Sequence, residues 1–151
     1  MQTTFNIPVI TKLTKTRYVK RTNVIKSSNF EMDLDTLKAY SYDWWLFCTT
    51  VNGKVIFNNT RYSSTTDKHQ GKAWRVLNYQ ADLTLNHTTT SLANLSLALE
   101  NEIKGAKLEI KSLIKTIKKP RTHRAKNQER REAVTKLLKH VKNVQSIKEE
   151  L

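Results

Sequence analysis

The sequence predicts an α+β fold: a small antiparallel sheet with a packed helix, followed by a long C-terminal antiparallel helical hairpin. Three observations carry this. Two β-rich runs flank Asn52-Gly53, apolar residues at helical spacing follow a hydroxyl-rich stretch, and past Thr89 they recur in heptads. The expected division of the 151 residues is an α+β domain with a basic N-terminal arm over 1–86 and a coiled-coil-like hairpin over 87–151.

Taken in chain order, residues 5–10 and 18–25 are β-rich, with Pro8 confining the first to an edge or a bulge because it cannot donate to a ladder. Residues 33–39 have room for one or two helical turns. The runs 44–51 and 54–60 read as paired strands, since Asn-Gly accepts positive φ at both central positions of a type I′ turn. Residues 66–79 read as a helix capped by Thr65 or Thr66, with Gly71 weakening its first turn by about 1 kcal/mol relative to Ala. Beyond it, Leu99, Ala106 and Leu113 alternate with Ile103, Ile110 and Ile117 as the two seam positions of a heptad. Pro120 interrupts the pattern, which resumes with Val134, Leu137, Val141 and Val144. Folding back at residue 125 would oppose Ile103 to Ile147; a kinked continuous helix and an intermolecular coiled coil are the alternatives.

Charge is segregated along the chain. The net +14 and pI near 10.0 divide into +6 over residues 1–26, −1 over 27–100 and +9 over 101–151. The nearly neutral middle holds all three tryptophans, as expected of a core. Residues 118–131 carry seven cations and one acid, which suits a polyanion more than a solvated helix surface, where signs usually mix. The expected phosphate-binding residues are Lys118, Lys119, Arg121, Arg124, Lys126, Arg130 and Arg131 at this tip, with Lys20 and Arg21 in the N-terminal arm. The aromatics Trp44, Trp45, Phe47, Phe57 and Trp74 read as core rather than as a base-stacking platform. Adjacent Trp44 and Trp45 point to opposite faces of a strand, however, leaving one outside it.

Several classes are disfavoured. The longest apolar stretch, residues 44–48, is far short of the roughly 18 residues of a membrane span. No apolar run of a secretory signal follows the early cations, and a single cysteine gives no internal disulfide and fits a reducing cytosol. No phosphate-binding loop or dinucleotide fingerprint is present. His69, His87, His123 and His140 are scattered without a metal-ligand spacing. Cys48 lies in an apolar strand-like run, as a buried inert thiol would. Glu109-Ile110-Lys111 matches an acid-x-Lys step of some nucleases, but a heptad surface explains it better. No catalytic residue, metal or cofactor is expected, and the chain does not read as an enzyme.

Tyr40-Ser41-Tyr42, Asn52-Gly53-Lys54, Phe57-Asn58 and Tyr62-Ser63 through His69-Gln70 together resemble a small domain recurring in bacteriophage and mobile-element proteins. The resemblance covers about residues 40–77, a quarter of the chain, and that domain has no assigned activity. It implies a phage-type gene acting in a bacterial host cytoplasm and carries over no site residues. A hairpin followed by a helix opening with Lys68, His69 and Lys72 is also superficially similar to half of a double-stranded RNA-binding domain. The glycine-rich loop and Lys-Lys pair of that family are missing, and no third strand is evident before the helix. Lys68 and Lys72 remain candidates for a phosphate at a helix N-terminus.

The expected function is therefore DNA or RNA binding through phosphate contacts with little sequence specificity. The alternative is a phage effector that docks on a host protein or ribonucleoprotein complex and inhibits it. Self-association through the helices is a third possibility, and no membrane partner is expected.

Overall fold

The computed structural model describes residues 18–19, 23–117 and 124–151. Lys20, Arg21, Lys118, Lys119 and Arg121, and the strand expected over 5–10, lie outside these described residues.

Among the described residues seven short strands form one sheet whose spatial order follows the chain. They are β1 (Tyr18–Val19), β2 (Val24–Ser27), β3 (Phe30–Asp33), β4 (Ala39–Ser41), β5 (Trp45–Val51), β6 (Lys54–Asn58) and β7 (Leu83–Leu85). Neighbours pair antiparallel from β1 to β6, whereas β7 joins β6 in parallel. A parallel neighbour requires a crossover, and helix α1 (Ser64–Val76) supplies it. A 3-10 turn (Leu92–Asn94) then leads into α2 (Leu95–Ile117) and α3 (Arg124–Glu149). Among the described residues no helix is long and apolar enough to cross a membrane.

Local chemistry explains where elements start and stop. Asn52 and Gly53 take φ of 50° and 76° between the paired residues Val51 and Lys54, as the Asn-Gly turn requires. The strand expected over 18–25 is instead two, because Asn23 turns the chain with φ 51°. Residues 33–39 are not helical. The Asp33 carboxylate accepts from the amides of Asp35 and Thr36, and this side-chain-to-backbone turn joins β3 to β4. Strands β3 and β4, too short to read in the sequence, thus precede the 45–58 hairpin. Helix α1 starts at Ser64 and ends at Val76 because Ser63 caps it and Asn78 and Tyr79 adopt positive φ just beyond it. The cap is a reciprocal box: Ser63 Oγ accepts from the Thr66 amide, and Thr66 Oγ1 accepts from the Ser63 amide.

The pleat gives the sheet two apolar faces. Phe47, Val55 and Phe57 pack with Ile25, Phe30 and Met32 beneath Ala73, Val76 and Leu77 of the α1 region. Leu46 and Ile56 face the other way, with Leu83 and Leu85, onto Ala98 and Leu99 of α2 and Val144 and Ile147 of α3. The base of the helical hairpin therefore shares a core with the sheet. Further out, Ala106, Ile110 and Val141 continue the seam with Val134 and Leu137. Helix α2 ends at Ile117 and α3 begins at Arg124, so residue 125 already lies within α3. The register slides accordingly, and Glu102 meets His140, where a fold-back at 125 would have opposed it to Lys148.

Candidate functional site

The heptad seam turns the apolar faces of α2 and α3 inward and leaves cations outside. Lys104, Lys107, Lys111 and Lys115 recur at intervals of three and four residues along α2, and all are exposed. On the first turns of α3, Arg124, Lys126 and Arg131 are exposed, while Arg130 is half-buried and donates to Asn127 Oδ1 at 3.0 Å. Among the described residues the Lys and Arg ion pairs are Lys26–Glu31 at 3.7 Å and Lys54–Glu150 at 3.6 Å. Neither involves the cations of the hairpin's distal end. On α1, Lys68 is exposed. Lys72 is half-buried: its Nζ donates to Ser27 Oγ at 2.9 Å and lies 5.8 Å from the Phe30 ring centroid. The two therefore differ, Lys68 facing solvent and Lys72 held against the β2–β3 turn. The Ser63 and Thr66 amides at the start of this helix are already taken by their reciprocal cap.

Trp45, Phe47 and Phe57 are core, Trp74 is half-buried and Trp44 is 57% exposed, so the two adjacent tryptophans do separate. Trp44 meets Tyr62 edge-on at 6.1 Å, leaving two exposed rings at one end of the sheet. The turn carrying Trp44 has Tyr42 and Asp43 at φ of 57° and 65°, strain of about 1–3 kcal/mol per non-glycine residue.

Within the polar signature at 62–70, Thr66, His69 and Gln70 are buried, and the last two dock α1 on the sheet. His69 Nδ1 is 2.7 Å from Ser41 Oγ on β4, and Gln70 Nε2 donates to the carbonyls of Asn58, at the end of β6, and of Thr60 beyond it. Asn58 in turn donates to the Thr88 carbonyl. Burial, and then the nearby Lys72 charge, lower the His69 pKa. Cys48 is fully buried, and burial pushes its thiol up to about 12, so it presents no thiolate nucleophile.

A second cluster joins three elements. Glu102 on α2 has no exposure, and its Oε1 accepts from the amides of Asn86 and His87 at 3.0 and 2.7 Å. Its Oε2 lies 2.8 Å from His87 Nδ1 and 2.8 Å from His140 Nε2 on α3. The other His87 nitrogen, Nε2, is 2.5 Å from Glu109 Oε2. Burial opposes the charge on Glu102, but the hydrogen bonds from both histidines and two amides outweigh it and hold the carboxyl below its usual range. Burial likewise opposes protonation of His87, and its bonds to Glu102 and Glu109 overcome this and raise its pKa. Gly105 makes room for the histidine: a Cβ there would stand 2.5 Å from His87 Cβ.

Sequence reasoning missed this cluster because His87 and His140 are far apart in the chain and Glu102 resembles a surface residue. One signal is present: Glu102 and His140 each directly precede a seam residue, Ile103 and Val141, on helices expected to pair antiparallel. Comparison of the chain with protein-family models, curated proteins and solved structures gives no match.

Proposed function

We propose that the protein binds nucleic acid through phosphate contacts made by its helical hairpin, with little dependence on base sequence. The observation that carries this is the row of exposed cations on α2 and on the first turns of α3, none ion-paired to an acid among the described residues. A phosphate chain is the complementary surface for such a row. Each neutralised duplex phosphate releases condensed counterions and lowers log K by about 0.9 per unit of log salt. Arg121, Arg124, Arg130 and Arg131 add the planar forks that grip phosphate oxygens in pairs. The exposed Trp44–Tyr62 pair offers stacking surface that tolerates any base.

The test is a low-salt mobility-shift titration with duplex and single-stranded DNA and RNA. Retention should fall steeply with salt, and replacing the four arginines by Ala should weaken binding by a similar factor for every sequence. Absence of retention at low salt refutes the reading. The second reading, a phage effector docking on a host protein or ribonucleoprotein complex, is favoured by Leu108 and Leu138, 67% and 52% exposed on the helices. A stoichiometric protein partner that survives nuclease treatment in a pull-down from expressing bacteria would put it first.

A further inference from the structure

We propose that His87, Glu102 and His140 form a zinc site, with His87 Nδ1, Glu102 Oε2 and His140 Nε2 as ligands and a fourth position left to water. The three donor atoms lie within 4.8 Å of one another and come from the segment after β7, from α2 and from α3. Two imidazole nitrogens and one carboxylate oxygen suit zinc or a similar transition ion. Calcium and magnesium demand more oxygen ligands.

The surroundings are those of a built site. Glu102 Oε1 accepts from two backbone amides, one of which, that of Asn86, also reaches Oε2 at 3.2 Å, and these bonds orient the carboxylate with Oε2 toward both rings. Glu109 faces Nε2 of His87, so a proton on Nε2 leaves the Nδ1 lone pair pointing at the Glu102 oxygen. Two lone pairs at 2.8 Å repel unless a proton or a metal ion lies between them. A carboxylate behind a histidine is the outer-shell partner that fixes the tautomer of a metal-bound imidazole. Gly105 completes the seat by giving His87 room against α2.

The alternative is a buried carboxylate neutralised by protons on the two rings. A divalent ion supplies the charge of two such protons. With metal–ligand bonds of about 2.0–2.2 Å, a tetrahedral site needs each N···O pair to open by about half an ångström. Rotation of the two partly exposed histidine rings is the movement this would take. The ion would clamp the hairpin to the segment that follows the sheet, a role that does not depend on nucleic-acid binding.

The full chain, stripped with EDTA and dialysed, should take up one Zn2+ per chain by calorimetry and elemental analysis. With Co2+ it should give the visible absorption of a four-coordinate site. His140→Ala should weaken zinc binding by more than about 100-fold, and Glu109→Gln by about 10-fold or more. His69→Gln and His123→Gln should leave it unchanged. Long-range proton–nitrogen spectra of the unaltered chain need no variant: zinc should shift His87 Nδ1 and His140 Nε2 and spare the other histidines. Absence of stoichiometric uptake, unchanged affinity in His140→Ala, or zinc-dependent shifts at other histidines would overturn the site.

Discussion

His69 shows how one buried polar side chain ties stability to pH. It is 4% exposed, with Ser41 Oγ on Nδ1 and the rings of Phe30 and Tyr42 each 5.8 Å away. Desolvation, and then Lys72, lower its pKa, so the folded state takes up this proton less readily than the unfolded chain does. Its contribution is full above the ordinary histidine value of about 6.5, declines below it and is lost once pH falls through the lowered value. His87 acts in the opposite sense: its raised pKa gives stability that is present at low pH and lost as pH rises through that value. Comparing wild type with His69→Gln by urea denaturation at pH 8 and pH 5 cancels the His87 part. Wild type should lose more stability on acidification than the variant; parallel losses would refute the assignment. The hydroxyl and amide residues at 62–70 stand out in the sequence as a motif. That His69 and Gln70 of this stretch dock α1 is not legible there, because their partners, Ser41 and the carbonyls of Asn58 and Thr60, are brought to them by the strand pairing.

Among the elements, those governed by local chemistry are legible in the sequence and those governed by partners are not. Asn52-Gly53 dictates its own turn, and the heptads of α2 and α3 announce a seam. Strands of two to four residues such as β1 through β4 have too few positions to show an alternation. Symmetry about residue 125 misplaces the helical register because it ignores the buried polar contact that fixes it, Glu102 to His140. Two helical glycines separate local propensity from packing. At Gly71 in α1 an added methyl group would have nothing within 4 Å, so Gly71→Ala should stabilise by about 0.5–1 kcal/mol. In α2, Gly105→Ala would set its methyl 2.5 Å from His87 Cβ and 3.1 Å from the His87 carbonyl oxygen. Overpacking of this kind costs about 1–3 kcal/mol, and displacement of His87 would also disturb its bonds to Glu102. Gly105→Ala should therefore destabilise despite its better helix propensity. Urea midpoints of the two variants should move in opposite directions, and a shift of both in the stabilising direction would show that the His87 segment yields freely.

For the whole molecule, the decisive feature is that the helical hairpin supplies one of the sheet's two apolar layers. Leu46 and Ile56 from β5 and β6 are buried against Leu99, Val144 and Ile147, and the Trp45 indole donates to the Thr89 carbonyl at 2.9 Å on the chain leading into α2. The sheet and the hairpin should consequently unfold together. Two probes report them separately: the tryptophans all lie in or beside the sheet and α1, whereas far-ultraviolet dichroism is dominated by the 23 and 26 residues of α2 and α3. Their urea transitions should coincide. Leu99→Ala, a fully buried truncation within the hairpin, should cost about 2–5 kcal/mol and lower both midpoints equally. If the variant moves the dichroism transition and leaves the fluorescence transition in place, the hairpin is a separately folding unit. Joint unfolding carries a functional consequence, because a hairpin anchored through its base cannot swing freely. In the proposed nucleic-acid complex its distal cations would then meet the phosphate chain as a preorganised row, at little entropic expense beyond the ordering of their own side chains.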